Sequence, residues 1–571
     1  MSTTADYVRL WTGPYFDEAT RRELGDLAGN QAELDDRFYQ LLDFGTAGMR
    51  GKLGAGTNRM NRYVVRHATQ GLANYINATV SGPKRVVIAH DCRHFSKEFA
   101  LEAALTLNAS GIYALVWDDL RPTPMLSFAV RYFSATAGIV ITASHNPKEY
   151  NGYKVYWSDG GQVPPERADA IGQRIRAITD ITTIHPMDEA EARTKNLLKT
   201  VAPWVDRTYY DKIGELLTTD RAAREVCRIL FTPLHGTGSI PVQTVLAEAG
   251  FQVSVVKAQE LPDADFSTVR SPNPEEPAVF ALALDQAAAE QPDIIMATDP
   301  DADRLGAMLR DQSGKYRLLT GNQIGAILVD YILASRKANG TLPANGAVIK
   351  STATSNMLAP LCRAHGVALI DVHTGFKFIG DKIREFEETG SHTFLFGFEE
   401  SYGYLGATFV RDKDAVMAAA MLADAVAYHK AHGRTLFDAL EALWERYGYF
   451  AEGLHNVTLP GREGQAQIAG IMAALRKKPP ISLGSTIVEF VDDYATGFGL
   501  DMSDESQYPL PLDRANVLHY RFDDGGFVMV RPSGTEPKLK VYFSVVGGDR
   551  AEAEARLAAV RRETLTMMGL A

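Results

Sequence analysis

The sequence predicts an α/β protein. It reads as three similar α/β domains with mixed sheets covered by helices, then a C-terminal α+β domain with an antiparallel sheet, and an active site in the central cleft. Three observations predict this. Apolar runs bounded by turn residues recur three times in the same order, segments of helical apolar spacing separate them, and from about residue 450 the pattern changes to alternating strands closed by one helix. A chain of 571 residues also exceeds a single hydrophobic core. The expected domains are 1–205, 206–320, 321–448 and 449–571.

The first set of strands reads KRVVIAHDCR (84–93), IYALVWDDLRPTP (112–124) and AGIVITASHNP (137–147). The second reads CRILFTPLHGTG (227–238), FQVSVVKAQ (251–259) and PDIIMATDPDADR (292–304). The third reads GAVIKSTATS (346–355), VALIDVHTGFKFIG (367–380) and HTFLFGFEESYGY (392–404). Between strands, stretches such as SKEFALEAALTLNASG and IPVQTVLAEAG supply helices. Strands alternating with helices make parallel or mixed sheets covered on both faces. The last part, with GLHNVTLPG, STIVEFVDDYATG, VLHYRFDDGGFVMVRPSG and KLKVYFSVVG before AEAEARLAAVRRETLTMM, is the antiparallel α+β domain.

Composition narrows the function. Hydrophobic residues at 46% and charged residues at 23% are those of a globular enzyme, not a disordered chain. A net charge of -11 argues against nucleic acid as a partner, which would demand a basic stripe. The cysteines Cys92, Cys227 and Cys362 form neither a disulfide framework nor a CxxC metal pair and suit a reducing cytoplasm. The N-terminal stretch lacks the pattern of a signal peptide, and no uncharged apolar run is long enough to span a membrane. The expected partner is a small molecule.

The third strand of each set ends in its most polar loop, where open α/β sheets bind ligands. The first loop presents Ser144, then His145. Ser, His, Asn and Pro equally suit a cap or turn, and the GxSxG pattern of a nucleophile elbow is absent. For His145, next to the serine in sequence, a phosphate contact and a structural role both stand open. Lys154, in NGYKV, is a candidate general acid or base that a hydrophobic surround would push to lower pKa.

In the second loop Asp299, Asp301 and Asp303 alternate ahead of Arg304, and such carboxylates repel one another severely unless they share a cation. An EF-hand is excluded, because Arg304 and Arg310 stand at its sixth and twelfth positions. Oxygen ligands without His or Cys favour Mg²⁺ over zinc. The third loop offers Glu399, Glu400 and Ser401 between glycines, suited to sugar hydroxyls or simply a charged turn. In the fourth domain Arg531, Ser533, Gly534 and Thr535 form an anion cradle without the order of a nucleotide P-loop. Lys377 follows a strand end, and Arg50 lies in the glycine-rich FGTAGMRGKLGAG, whose backbone either approaches a ligand or merely turns.

Together TASHNP, DPDADR, GFEES and RPSGTEP, in that order, with FGTAGMRG ahead of them and TGFKFIG between, resemble the α-D-phosphohexomutase superfamily in its phosphoglucomutase branch, over nearly the whole chain. The resemblance implies that Ser144 is carried as a phosphoserine. It implies Mg²⁺ on Asp299, Asp301 and Asp303 with an oxygen of that phosphate, sugar hydroxyls on Glu399 and Ser401 beside Glu400, and the non-reacting phosphate on Arg531, Ser533, Gly534 and Thr535. Lys154 and Arg304 match positions near the transferred group, with His145 and Arg50 as further catalytic candidates. Lys377 matches the lysine of a TGWKF motif in which Phe376 replaces Trp. The implied reaction interconverts α-D-glucose 1-phosphate and glucose 6-phosphate through glucose 1,6-bisphosphate, which is both intermediate and activator and must turn end for end, as a hinged fourth domain would allow. A monomer is expected, with a dimer as the alternative.

Phosphomannomutase, phosphopentomutase or glucose bisphosphate synthase activity on the same scaffold is the nearest alternative. More distant are an aspartyl phosphatase with Asp299 as nucleophile and Asp301 as acid, and a non-catalytic sugar-phosphate binder. The phosphatase motif carries Thr or Val where this chain has Asp303, and it leaves Ser144 unused.

Overall fold

The computed structural model describes residues 3–45, 48–459, 461–533 and 538–570, which form two compact units. The first unit comprises Met1–Ile324 and Gly375–Arg434, the second Gly325–Thr374 and Thr435–Ala571.

The first unit contains two mixed sheets. In one, strands Arg85–His90, Tyr113–Val116 and Leu198–Thr200 run parallel, Ala137–Ile141 joins them in parallel, and Tyr150–Trp157 and Met49–Lys52 continue antiparallel. In the other, Arg228–Thr232 pairs in parallel with Gln252–Val255 and Ile294–Thr298, and Leu305–Arg310 and Tyr316–Leu318 complete it antiparallel. Ala137–Ile141 and Ile294–Thr298 are buried throughout, which explains why they read as unbroken apolar runs rather than alternating ones. Gly138 permits close helix packing on the first sheet, since a Cβ there would meet Val130 Cγ2 at 2.6 Å. The unit also holds the antiparallel pair Thr393–Glu399 and Gly403–Leu405 and the helix Ala415–Ala431.

Three short helices, Thr4–Trp11, Glu18–Asp26 and Gln31–Phe38, precede the first sheet. Trp11, Phe16, Phe38 and Tyr63 pack there as a buried aromatic cluster with ring centroids 4.6 to 5.7 Å apart.

The second unit holds the parallel pair Gly346–Ser351 and Ala368–Val372, and a seven-stranded antiparallel sheet with Tyr449–Thr458 at one edge, beside Lys538–Gly547, and Gln507–Pro509 at the other, flanked by the helices Gly461–Lys477 and Arg550–Met567. Ala353 shares a core with Tyr494, Val517, Phe527, Met529 and Tyr542, and Asn356 Nδ2 donates to the Gly525 carbonyl at 2.8 Å. Among the described residues no helix is long and apolar enough to cross a membrane.

Candidate active site

Each of the three polar loops joins an antiparallel strand pair of the first unit: Ala137–Ile141 with Tyr150–Trp157, Ile294–Thr298 with Leu305–Arg310, and Thr393–Glu399 with Gly403–Leu405. The likeness extends to the backbone. Each loop holds one non-glycine residue in the left-handed region, Ser144 (φ 53°), Ala302 (φ 50°) and Tyr402 (φ 65°). Such a residue costs about 1–3 kcal/mol and persists only where its surroundings fix it. Neighbouring backbone holds two of them: Leu305 N donates to the Tyr402 carbonyl at 3.0 Å, and Ala415 N, at the start of the helix Ala415–Ala431, to the Ala302 carbonyl at 3.1 Å.

The serine is buried, and its backbone N–H donates to Thr142 Oγ1 at 2.9 Å. Its Oγ donates to Asp299 Oδ2 at 2.7 Å and lies 3.1 Å from His145 Nδ1. So although His145 neighbours Ser144 in sequence, its ring does reach the hydroxyl. Burial first, then the positive charges of Arg304, Arg50 and Arg93, hold that imidazole well below its ordinary pKa and therefore neutral. Arg93, which the sequence reading passed over, holds the whole loop. Its guanidinium donates to the carbonyls of Ser144, Asn146, Pro147 and Tyr150, pairs with Asp91 at 3.1 Å and lies over the Phe266 ring.

Asp299, Asp301 and Asp303 are all buried, and each turns one carboxylate oxygen toward the others so that these lie within 4.8 Å of one another. The loop sits on the Leu234–Thr237 turn, where a Cβ on Gly236 would meet Pro300 Cα at 2.5 Å. Asp299 Oδ1 accepts from the backbone N–H of Asp303 and of Arg304, each at 3.1 Å. Asp301 Oδ2 accepts from Thr123 Oγ1 and Lys154 Nζ, both at 2.8 Å. Asp303 Oδ2 faces Lys413 Nζ at 3.2 Å and Lys154 Nζ at 3.4 Å.

Burial and the two neighbouring carboxylates raise the Asp299 pKa well above the ordinary range. At Asp303 burial acts the same way, but Lys413, Lys154 and Arg304 outweigh it and hold the group ionised. The Oδ1 atoms of Asp301 and Asp303 are buried without a hydrogen-bond partner. Three buried carboxylates with converging oxygens, two of them keeping an oxygen free of hydrogen bonds, fit a hard divalent cation.

Lys154 departs from the expectation of a depressed pKa. Its surroundings are carboxylates, not apolar groups, so Asp301 and Asp303 outweigh the burial and raise the ammonium above its ordinary value. It is a fixed positive charge and hydrogen-bond donor.

Glu399 is buried, and its Oε1 accepts from the backbone N–H of Gly375 at 2.6 Å. Burial and the adjacent Glu400 push its pKa up to about 7. Glu400 and Ser401 are half-buried in the turn. Lys377 lies in the first turn of the helix Phe376–Thr389, its Nζ over the Phe378 ring, and exposed Arg50 donates to Asn146 Oδ1 at 2.8 Å. The segment Asp412-Lys413-Asp414 was also missed. Lys413 joins Asp303 to Asp412, while Tyr156 donates to Asp412 at 2.6 Å and Tyr209 to Asp414 at 2.8 Å. Arg531 and Ser533 are half-buried in the second unit, and Gly534 and Thr535 lie outside the described residues.

Family models of known proteins match almost the entire chain. Those for the phosphoglucomutase/phosphomannomutase α/β/α domains I, II and III match residues 41–182, 207–314 and 320–447, and that for the C-terminal domain matches 454–563. A phosphoglucomutase of Staphylococcus aureus is 38% identical over 522 residues, spanning 90% of this chain and 92% of the relative. One of Staphylococcus haemolyticus is 38% identical over 512 residues, spanning 89% and 91%. Among solved structures, the open form of parafusin, a phosphoglucomutase from Paramecium, shares the fold at a TM-score of 0.68 with 19% identity, covering 92% of this chain and 94% of that one.

Proposed function

We infer the reaction from one premise: the chain belongs to the phosphoglucomutase/phosphomannomutase family. It catalyses the phosphoglucomutase reaction, interconverting α-D-glucose 1-phosphate and glucose 6-phosphate. The observation that carries the mechanism is the delivery of a buried serine hydroxyl to a carboxylate of the acidic cluster, Ser144 Oγ to Asp299 Oδ2 at 2.7 Å.

Ser144 is the phosphoryl carrier. From phospho-Ser144 the P–Oγ bond breaks, a sugar hydroxyl oxygen takes the phosphorus, and the proton of that hydroxyl ends on Ser144 Oγ. This gives the glucose 1,6-bisphosphate intermediate. The resulting hydroxyl donates to Asp299 Oδ2, and Nδ1 of the neutral His145 ring lies 3.1 Å from Ser144 Oγ. Asp299, Asp301 and Asp303, with a phosphate oxygen on Ser144, would hold Mg²⁺, which when bound neutralises charge on the transferring group. Lys154 and Arg304 add fixed positive charge, and phosphoryl transfer depends mainly on such positioning and neutralisation. Glu399 and Ser401 take sugar hydroxyls, with Glu400 beside them, while Lys377 and Arg50 bear on the substrate phosphate. The second phosphate goes to Arg531, Ser533, Gly534 and Thr535, an assignment that rests on the motif alone. The free cysteines Cys92, Cys227 and Cys362 suit a cytoplasmic enzyme.

Assay of glucose 1-phosphate conversion with glucose 1,6-bisphosphate present tests this reading. Wild type should turn over and Ser144→Ala should not; a fully active Ser144→Ala would overturn it.

A further inference from the structure

The connection between the second and third strands of the second repeat does more than link them. Four of its residues meet the Ser144 loop, Arg93 or Arg304. Phe266, buried with φ 48°, lies under the Arg93 guanidinium at 4.9 Å. Asp265 Oδ1 accepts from Lys148 Nζ at 3.1 Å, and Ser271 Oγ donates to the His145 carbonyl at 3.1 Å. Glu275 Oε1 accepts from Arg304 Nη1.

Glu275 stands on a rigid base. Glu276 N donates to the Asn273 carbonyl at 3.0 Å, closing a turn with Pro274 at its second position, and Glu275 N donates to Asn273 Oδ1 at 3.2 Å. The turn lies tight against the strand that follows Arg304, because a Cβ on Gly306 would meet the Pro274 carbonyl oxygen at 2.4 Å. Arg304 is anchored at its other end by its backbone N–H on Asp299 Oδ1, the same carboxylate that holds the Ser144 hydroxyl. Its Nε is buried without a hydrogen-bond partner and faces Asp303 Oδ1 at 4.0 Å.

We propose that Glu275 is a positioning residue for phosphoryl transfer, fixing one edge of the Arg304 guanidinium so that its remaining donors address the phosphoryl group of Ser144. A guanidinium is a planar fork whose value to a phosphate depends on its orientation. Without Glu275, Arg304 must be ordered anew in each transition state, and a misplacement of about 1 Å costs on the order of 100-fold in rate. The connection also braces the Ser144 loop through Phe266, Asp265 and Ser271, so donor and guanidinium share one frame.

The proposal rests on the role given to Arg304 above, and a double-mutant cycle separates the two. Glu275→Gln keeps the turn and the volume, and should lower kcat by about 10- to 100-fold while KM moves far less. In an Arg304→Ala background the same change should have no further effect, because Glu275 acts only through that guanidinium. Unchanged kcat in Glu275→Gln, or an equal fold-loss in both backgrounds, would overturn the proposal. If Arg304→Ala alone kept full activity, the role of Arg304 would fail instead. Circular dichroism and melting temperature check folding. Should Glu275→Gln misfold, Glu275→Asp, which keeps the charge and shortens the reach, should show the same non-additive loss, and an additive loss there would count against the proposal.

Discussion

Ser144 Oγ and Asp299 Oδ2 meet at 2.7 Å, joining the first polar loop to the second across 155 residues of sequence. The hydroxyl proposed to carry the phosphate and a carboxylate proposed to hold the cation are thus joined by one hydrogen bond. Asp299→Asn should weaken Mg²⁺ binding and lower kcat by at least about 100-fold, or about 2.7 kcal/mol of transition-state stabilisation. Calorimetric titration and steady-state kinetics check both, and an unaltered cation affinity would argue against Asp299 as a ligand.

Cation removal gives a second expectation. The buried Oδ1 atoms of Asp301 and Asp303 have no hydrogen-bond partner, and a bound cation would give them a ligand contact. Chelation should abolish turnover, and Mg²⁺ at about 100 times its Kd should restore it and stabilise the fold by about 2.7 kcal/mol. Differential scanning fluorimetry reads the stabilisation, and a melting temperature indifferent to Mg²⁺ would contradict the assignment.

Arg93 and Asp91 form a buried ion pair, each under 4% exposed. Arg93→Ala strands the Asp91 carboxylate and releases four loop carbonyls, so it should destabilise the protein by about 3–5 kcal/mol. Urea unfolding measures this; a loss below about 1 kcal/mol would show that other contacts hold the loop.

Asp414 carries a pH signature. Burial is the main cause that pushes its pKa to about 7, against hydrogen bonds from the Met417 backbone and Tyr209 that favour the ionised form. An unfolded aspartate titrates near pH 4. Between those values the folded protein keeps the extra proton, so the contribution of this group is full below about pH 4 and lost as pH rises through about 7. Asn does not titrate. Asp414→Asn should therefore gain stability relative to wild type from about pH 4 to about pH 7, a trend that denaturation at several pH values would reveal or refute.

Much of this architecture was legible in the sequence. Strands such as Ala137–Ile141 and Ile294–Thr298 are buried on both faces, so their apolar runs stood out, and Ser144, the three aspartates and Glu399 follow directly from strand ends. What escaped depends on distant partners. Arg93, Glu275 and Lys413 lie in or beside turns and read locally as solvated charges, yet each is fixed by groups from other loops. Lys154 was visible, but its electrostatic environment was not, since Asp301 and Asp303 arrive from about 150 residues away along the chain. The packing of Ala353 with Tyr494 and Phe527 was hidden for the same reason, since it leaves no periodic trace.

The central claim is that Ser144 carries the phosphoryl group, and mass spectrometry of the intact protein with peptide mapping tests it most directly. Protein incubated with glucose 1,6-bisphosphate should gain one acid-stable phosphate, mapped to Ser144 and absent from Ser144→Ala. An acid-labile phosphate on Asp299, or none on Ser144 in a fully active enzyme, would contradict the account.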